Sequence, residues 1–121
     1  MKTILVVDDE QDIILALEIL LSDEGFEVIT AQNGREALER LAERLPDVVI
    51  MDVMMPILSG PQTLEKMRSD AEYTQIPVIM MSAVKPSIDF TRLKVSSFIR
   101  KPFEISAMLD AIDQVLQGKN N

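Results

Sequence analysis

Short runs of consecutive apolar residues alternate along the chain with longer segments in which apolar residues recur every three or four positions. The runs are typical of strands buried on both faces, and the recurring pattern is typical of amphipathic helices. The runs predict five strands, at residues 3–7, 26–31, 47–51, 77–81 and 97–100. Helical segments follow the first three strands and the last strand, and Gly118 is the predicted end of the final helix.

The order of these elements indicates the fold class. Strands that alternate with helices and read as continuous apolar runs favour an α/β fold with a parallel sheet covered by helices on both faces. Right-handed crossovers then place the carboxyl ends of all strands at one edge of the sheet. Pro86 and β-branched residues weaken the helix propensity of residues 86–95. We therefore expect the fourth helix to be short or absent, with a mobile loop around residues 85–93.

Composition limits the possible function classes. A chain of 121 residues corresponds to one domain with a normal core. The 20 acidic and 12 basic residues give a net charge of −8, which disfavours direct nucleic-acid binding. The sequence has no Cys and no His, so disulfides and thiolate or imidazole metal sites are excluded. Carboxylates, lysines and hydroxyl groups would have to carry any chemistry.

The apolar runs are too short to cross a bilayer. The first run is followed at once by Asp8, Asp9 and Glu10, which the apolar core of a signal peptide would not contain. We therefore predict a cytoplasmic protein that does not bind membranes.

Polar residues end the predicted strands. Asp8 and Asp9 follow the first strand, Asp52 the third, Ser82 the fourth and Lys101 the fifth. Ligands bind at this edge of doubly wound sheets, so we expect these side chains to lie close together. A pair of carboxylates at ~4 Å repels by roughly 4 kcal/mol at an effective dielectric constant of ~20. The Lys101 ammonium and a hard cation would relieve this repulsion, and a site with few carboxylates and room for a phosphate suits magnesium.

Each of these residues also has an ordinary structural explanation when it is taken alone. Asp8 and Asp9 could form a solvated turn that favours the following helix dipole. Ser82 could be structural, and Lys101 could be a surface lysine. Their joint occurrence, each at the end of its own strand, favours a common functional site.

Four motifs in this order resemble the receiver domain of two-component response regulators. They are V-V-D-D-E at 6–10, M-D-V-M-M-P-I-L-S-G at 51–60, M-M-S-A at 80–83 and F-I-R-K-P-F at 98–103. The resemblance covers essentially the whole chain. It implies a single receiver domain over residues 1–121, with a flavodoxin-like, doubly wound, five-stranded sheet in the order 2-1-3-4-5.

The resemblance also implies roles for the site residues. Asp52 matches the phosphoacceptor, a carboxylate nucleophile that takes a phosphoryl group from a histidine kinase or a phosphotransfer protein. The matching magnesium ligands are Asp8, Asp9 and Asp52 with the backbone carbonyl of Met54.

Other matching positions concern the phosphoryl group and the switch. Lys101 and Ser82 match residues that bind phosphoryl oxygens. Ser82 and Phe98 match the pair that changes position on activation. The bond between Lys101 and Pro102 matches a peptide bond that is cis in the family.

The function implied is a phosphorylation-activated switch in a two-component system or phosphorelay. Such a protein catalyses only its own phosphoryl transfer and dephosphorylation. We expect a stand-alone receiver, similar to the chemotaxis regulators, whose output is a downstream protein partner. Lys94 and Val95 stand where the family commonly has a Gly-Ala pair, which puts the usual output surface in doubt.

Three other functions were compared with this one. A magnesium-dependent aspartyl phosphatase of the haloacid-dehalogenase type needs an acid two residues after the nucleophile, where this chain has Met54. A flavin or nucleotide module needs a Gly- or Ser/Thr-rich phosphate loop after the first strand, where Asp8 and Asp9 stand. A degenerate receiver would act only as a binding module, and the complete set of site residues argues against it.

Overall fold

The computed structural model describes residues 1–119 and has five strands and four α-helices. The elements are β1 (Thr3–Val7), α1 (Gln11–Asp23), β2 (Glu27–Ala31), α2 (Gly34–Glu43), β3 (Val48–Asp52), α3 (Gly60–Arg68), β4 (Val78–Ser82), β5 (Val95–Arg100) and α4 (Ile105–Lys119). All strand pairs are parallel, as the apolar runs predict, and the order is β2-β1-β3-β4-β5, as the family resemblance implies. None of the helices in residues 1–119 is long and apolar enough to cross a membrane.

Both faces of the sheet are buried, which explains why its strands are continuous apolar runs. β1, β3 and β4 are buried along their whole length. One face packs against α2 and α3 through a cluster that includes Leu5, Val7 and Met51. The other face packs against α1 and α4 through a cluster that includes Ile4, Val6 and Ile50. Alternate residues of one strand therefore point to opposite faces of the sheet and pack in different cores.

Several boundaries differ from those that the sequence predicts. β3 begins at Val48 and extends to Asp52, so the carboxylate is the last residue of the strand and not the first after it. β5 begins at Val95, two residues early, because Val95 pairs with Val78 before an irregularity shifts the register. α4 continues through Gly118 to Lys119, so the prediction that Gly118 ends the helix is wrong.

The connection between β4 and β5, residues 83–94, contains turns and no helix. Leu93 N donates to Asp89 O at 3.1 Å and Val95 N donates to Phe90 O at 3.0 Å, which closes a compact turn before the strand. Lys94 has a φ of 55°, and this left-handed residue ends the turn. Leu93 is only 2% exposed, so the end of this connection packs against the core, while the mobility expected around residues 85–93 stays a prediction.

Candidate functional site

The carboxyl ends of β1, β3, β4 and β5 bring the predicted site residues together. Asp8 follows β1 directly, Asp52 ends β3, Ser82 ends β4, and Lys101 follows β5. The side chains of Asp8, Asp52 and Ser82 are buried. The register of the strands places these residues at the same level of the sheet, because Val7 pairs with Met51 and Asp52 pairs with Met81.

Lys101 is the positive centre of this site. Its Nζ lies 2.8 Å from Asp8 Oδ2, 3.1 Å from Glu10 Oε1 and 3.4 Å from Asp52 Oδ2. Burial alone would lower the pKa of Lys101, but the hydrogen bonds that Lys101 donates to Asp8 and Glu10, together with the nearby carboxylate charges, raise it. Lys101 therefore stays charged and neutralises part of the buried negative charge.

Asp52 has an unusually basic carboxyl group for an aspartate. Burial and, after it, the negative charge of Asp8 raise the pKa of Asp52 to about 6, while Lys101 opposes this shift. Burial likewise raises the pKa of Asp8, against hydrogen bonds from Lys101 and from the backbone of Glu10. A raised pKa in such a place is a common sign of a functional group.

The loop after β3 fixes the backbone of Asp52. Gly60 N donates to Val53 O at 2.9 Å, and a Cβ atom on Gly60 would lie 2.4 Å from the carbonyl oxygen of Asp52. Ser59 caps α3 reciprocally with Gln62, which holds the start of the helix in this position. Only a glycine allows α3 to begin so close to the end of β3.

Ile57, in the same loop, has a φ of 71°, which is unusual for a β-branched residue. Leu58 N donates to Pro56 O at 2.7 Å across it, as in a γ-turn. Gly34 N donates to Leu58 O at 3.1 Å, so the start of α2 supports the strained turn.

Ser82 and Phe98 occupy neighbouring strands. Ser82 Oγ accepts a long hydrogen bond of 3.4 Å from Val84 N, and Ser82 O accepts one of 2.8 Å from Lys101 N. Phe98 pairs with Met80 in the sheet and packs, partly buried, against the core under α3. The peptide bond between Lys101 and Pro102 is cis.

Carboxylate oxygens that could hold a metal ion meet at this edge. Oxygens of Asp8, Glu10 and Asp52 lie within 4.8 Å of one another. Among the described residues 1–119, no other group of three acidic side chains has its oxygens this close together. An oxygen-only donor set fits a hard divalent cation such as magnesium. The sequence analysis did not select Glu10. Its backbone N donates to Asp8 Oδ1 at 2.9 Å, and its carboxylate lies 3.1 Å from Lys101 Nζ.

Asp9 is exposed and lies outside that carboxylate group. It lines a cavity of about 460 Å³ together with Met54 and other residues of the β3–α3 loop. Two of the predicted ligands, Asp9 and Met54, therefore line one cavity, whereas Asp8 and Asp52 meet at Lys101.

Comparisons with known proteins agree on one family. A model of the response regulator receiver domain matches residues 4–113. The chain is 37% identical over 117 residues to the regulatory protein AtoC of Escherichia coli, covering 94% of this chain and 25% of AtoC. It is 33% identical over 121 residues to protein PilH of Pseudomonas aeruginosa, covering 98% of this chain and 100% of PilH.

A solved structure gives the same result. The chemotaxis protein CheY4 of Vibrio cholerae superimposes with a TM-score of 0.90 at 30% identity, covering 96% of this chain and 99% of that one. The lengths of the relatives differ widely. The chain spans a quarter of AtoC and about half the length of two further curated relatives, at 47% and 48%.

Proposed function

The chain belongs to the response regulator receiver domain family, whose members are phosphorylation-activated switches of two-component systems, and we propose that its phosphoacceptor is Asp52. The phosphoryl donor would be a histidine kinase or a phosphotransfer protein, and the reader a downstream protein partner. We propose that the chain catalyses only its own phosphorylation and dephosphorylation. The cytoplasmic location and the lack of direct nucleic-acid binding stay predictions.

The observation that carries this proposal is the position of the Asp52 carboxylate. It is buried at the end of a central strand, and its Oδ2 lies 3.4 Å from the Lys101 ammonium. With a pKa of about 6, the carboxyl is mostly ionised at neutral pH and can act as a nucleophile. Burial removes competing water, which strengthens its electrostatic interactions.

Phosphoryl transfer to Asp52 would form one bond and break one. A carboxylate oxygen of Asp52 attacks the phosphorus, the phosphorus–nitrogen bond of the donor histidine breaks, and the imidazole leaves. Lys101 already stands beside Asp52 and would balance the charge of the incoming phosphoryl oxygens. Asp8, another partner of Lys101, lies at 2.8 Å and holds the ammonium at this end of the sheet.

The donor set around Asp52 supports a magnesium site. We propose that Asp8, Asp9, Asp52 and the backbone carbonyl of Met54 hold the ion. A bound divalent cation supplies further neutralisation of the phosphoryl charge.

Ser82 and Phe98 would convert phosphorylation into a change of shape. The hydrogen bond of 3.4 Å from Val84 N holds the Ser82 hydroxyl only weakly. The hydroxyl is therefore free to move toward a phosphoryl oxygen and donate a hydrogen bond to it. Phe98 would then occupy the space that the Ser82 side chain leaves.

The test is acyl-phosphate formation measured by intact-protein mass spectrometry. Acetyl phosphate with magnesium should add one phosphoryl group, labile to hydroxylamine. Asp52→Asn should remain unmodified, whereas Asp70→Asn, a control at an exposed acid, should be labelled like the wild type. Undiminished labelling of Asp52→Asn would overturn the assignment.

A further inference from the structure

The connection between β4 and β5 is held to the rest of the molecule unevenly. We divide it into a proximal segment, residues 83–87, which follows Ser82, and a distal segment, residues 88–94, which precedes β5. The two segments contact different parts of the structure, and this difference decides which of them can respond to the site.

Arg68 holds the distal segment from the end of α3. Its Nε donates to Leu93 O at 2.8 Å and its Nη2 donates to Lys94 O at 3.1 Å. Its Nη1 donates to Tyr73 O and Thr74 O at 3.2 and 3.1 Å, which ties the distal segment to the α3–β4 connection. Burial lowers the pKa of Arg68. The guanidinium thus donates hydrogen bonds to four backbone carbonyls and holds the distal segment in place. We call this set of contacts the Arg68 clamp.

Further contacts anchor the same segment. Ile88 packs against the core under α3, and Leu93 belongs to that core with 2% exposure. Arg92 Nη1 lies 2.7 Å from Glu65 Oε1, which adds an exposed ion pair to α3. The distal segment is therefore joined to α3, whose Leu64 and Met67 belong to the same core as Met51 of β3 and Met80 of β4.

The proximal segment is attached instead to the site. Val84 N donates to Ser82 Oγ at 3.4 Å, and Ala83 O accepts from Arg100 Nε at 3.2 Å. Val84 itself is 68% exposed. Because Ser82 ends β4 in the site and directly contacts Val84, a movement of Ser82 acts on this segment first.

Phe90 links the two segments. Its ring centroid lies 5.9 Å from that of Phe98, with the planes tilted by 49°, a favourable aromatic geometry. Lys85 Nζ, from the proximal segment, lies 5.4 Å from the Phe90 ring centroid, within cation–π distance. A displacement of Phe98 therefore changes the support of Phe90 and, through it, the position of Lys85.

We propose that phosphorylation moves the backbone of the proximal segment alone, with the Phe90 ring passing the displacement of Phe98 to Lys85 while Arg68 keeps the backbone of the distal segment fixed. This inference rests on the proposed function, because it takes Asp52 as the phosphoacceptor. In this protein five residues, and not a helix, would then form the responsive surface. Phe90 and Arg68 are positioning residues, since both act through other groups.

Hydrogen exchange of the full chain, with and without acetyl phosphate and magnesium, tests the proposal. On phosphorylation the amides of residues 83–87 should change their exchange rate by at least about tenfold, while those of 93–95 should hardly change. Phe90→Leu should accept the phosphoryl group to the same extent by intact mass, but residues 83–87 should respond less than in the wild type, because only the contact with Ser82 remains. Phe26→Leu, which alters an aromatic residue on the other face, is the matched control and should respond like the wild type.

The clamp is tested without any phosphoryl donor. Arg68→Lys keeps the charge but loses the planar set of donors, and should speed exchange of residues 93–95 about tenfold while leaving 83–87 unchanged. Arg40→Lys, whose Nε donates to Thr30 O, is its control. A uniform response over 83–95, a normal response of Phe90→Leu, or unaltered exchange in Arg68→Lys would overturn the proposal. If no variant takes up phosphate, the proposed function fails, and the Arg68 experiment still decides whether the distal segment is clamped.

Discussion

Lys101 Nζ lies 2.8 Å from Asp8 Oδ2, and this ion pair joins the chain after β5 to the chain after β1, past the ends of β3 and β4. The Asp8 side chain is 0% exposed and that of Lys101 is 12% exposed. Two strand ends that are distant in sequence are thus held together by a charge pair that water scarcely reaches.

Removing the ammonium should be strongly destabilising. Lys101→Met leaves Asp8 and Asp52 buried without their cation, and we expect a loss of about 3 kcal/mol in the free energy of unfolding at pH 7. Urea denaturation in the presence of a chelator measures this loss. Lys66→Met, at an exposed position on α3, should change stability by less than about 0.5 kcal/mol. Equal losses in the two variants would contradict the role given to Lys101.

The raised pKa of Asp52 predicts a specific pH dependence of stability. Between about pH 4 and the folded pKa of about 6, the native state keeps a proton that the unfolded state has lost. This contribution is complete below the unfolded pKa and disappears as the pH rises through about 6. The Asp52→Asn variant lacks this pH-dependent contribution. In the absence of metal, its free energy of unfolding minus that of the wild type should therefore increase by up to about 3 kcal/mol from pH 4 to 7. A difference that is constant over this range would count against the raised pKa.

Magnesium should stabilise the unphosphorylated protein. At a concentration a hundredfold above its dissociation constant, the gain would be about 2.7 kcal/mol, visible as a rise in melting temperature. Asp9→Asn should abolish the rise if Asp9 is a ligand. Glu10→Gln should keep most of it, because the Glu10 carboxylate already lies 3.1 Å from Lys101 Nζ. The reverse result would assign the ion to Glu10, and a melting temperature indifferent to magnesium would exclude the metal site.

Gly60 should resist any substitution. The added Cβ of Gly60→Ala would meet the Asp52 carbonyl oxygen at 2.4 Å, and this backbone cannot move without displacing the carboxylate. We expect a loss of about 2 kcal/mol in unfolding free energy and slower labelling by acetyl phosphate. Gly118→Ala is the matched control, since its Cβ would meet nothing within 4 Å and should be neutral or stabilising.

The strands and the site could be predicted from the sequence for the same physical reason. Strands buried on both faces must be apolar throughout, so a polar residue such as Asp52 marks the point where the strand ends. Parallel topology then brings those ends together without further information. Composition also pointed to oxygen donors, because the chain has no His or Cys.

Side-chain directions just beyond a strand could not be predicted in this way. The sequence analysis named Asp9 as a metal ligand and did not select Glu10, whose oxygen lies within 4.8 Å of oxygens of Asp8 and Asp52; the ligand role of Asp9 stays a prediction. The rotation of the chain between Asp8 and the start of α1 decides this, and it depends on backbone geometry. Arg68 was missed for another reason, since its acceptors are carbonyl oxygens, which every residue has.

The strand order also implies a gradient of rigidity across the molecule. β3, which carries Asp52, has a strand on each side and is buried along its length, whereas β5 lies at the border of the sheet and is only partly buried. Opening β3 requires most of the sheet to come apart, while β5 can loosen by itself. The covalent event would thus happen on a strand inside the sheet, and its mechanical effect would appear toward the border, in residues 83–87 between β4 and β5. The conformational response can therefore reach the surface of the protein without distorting the central strand that holds Asp52.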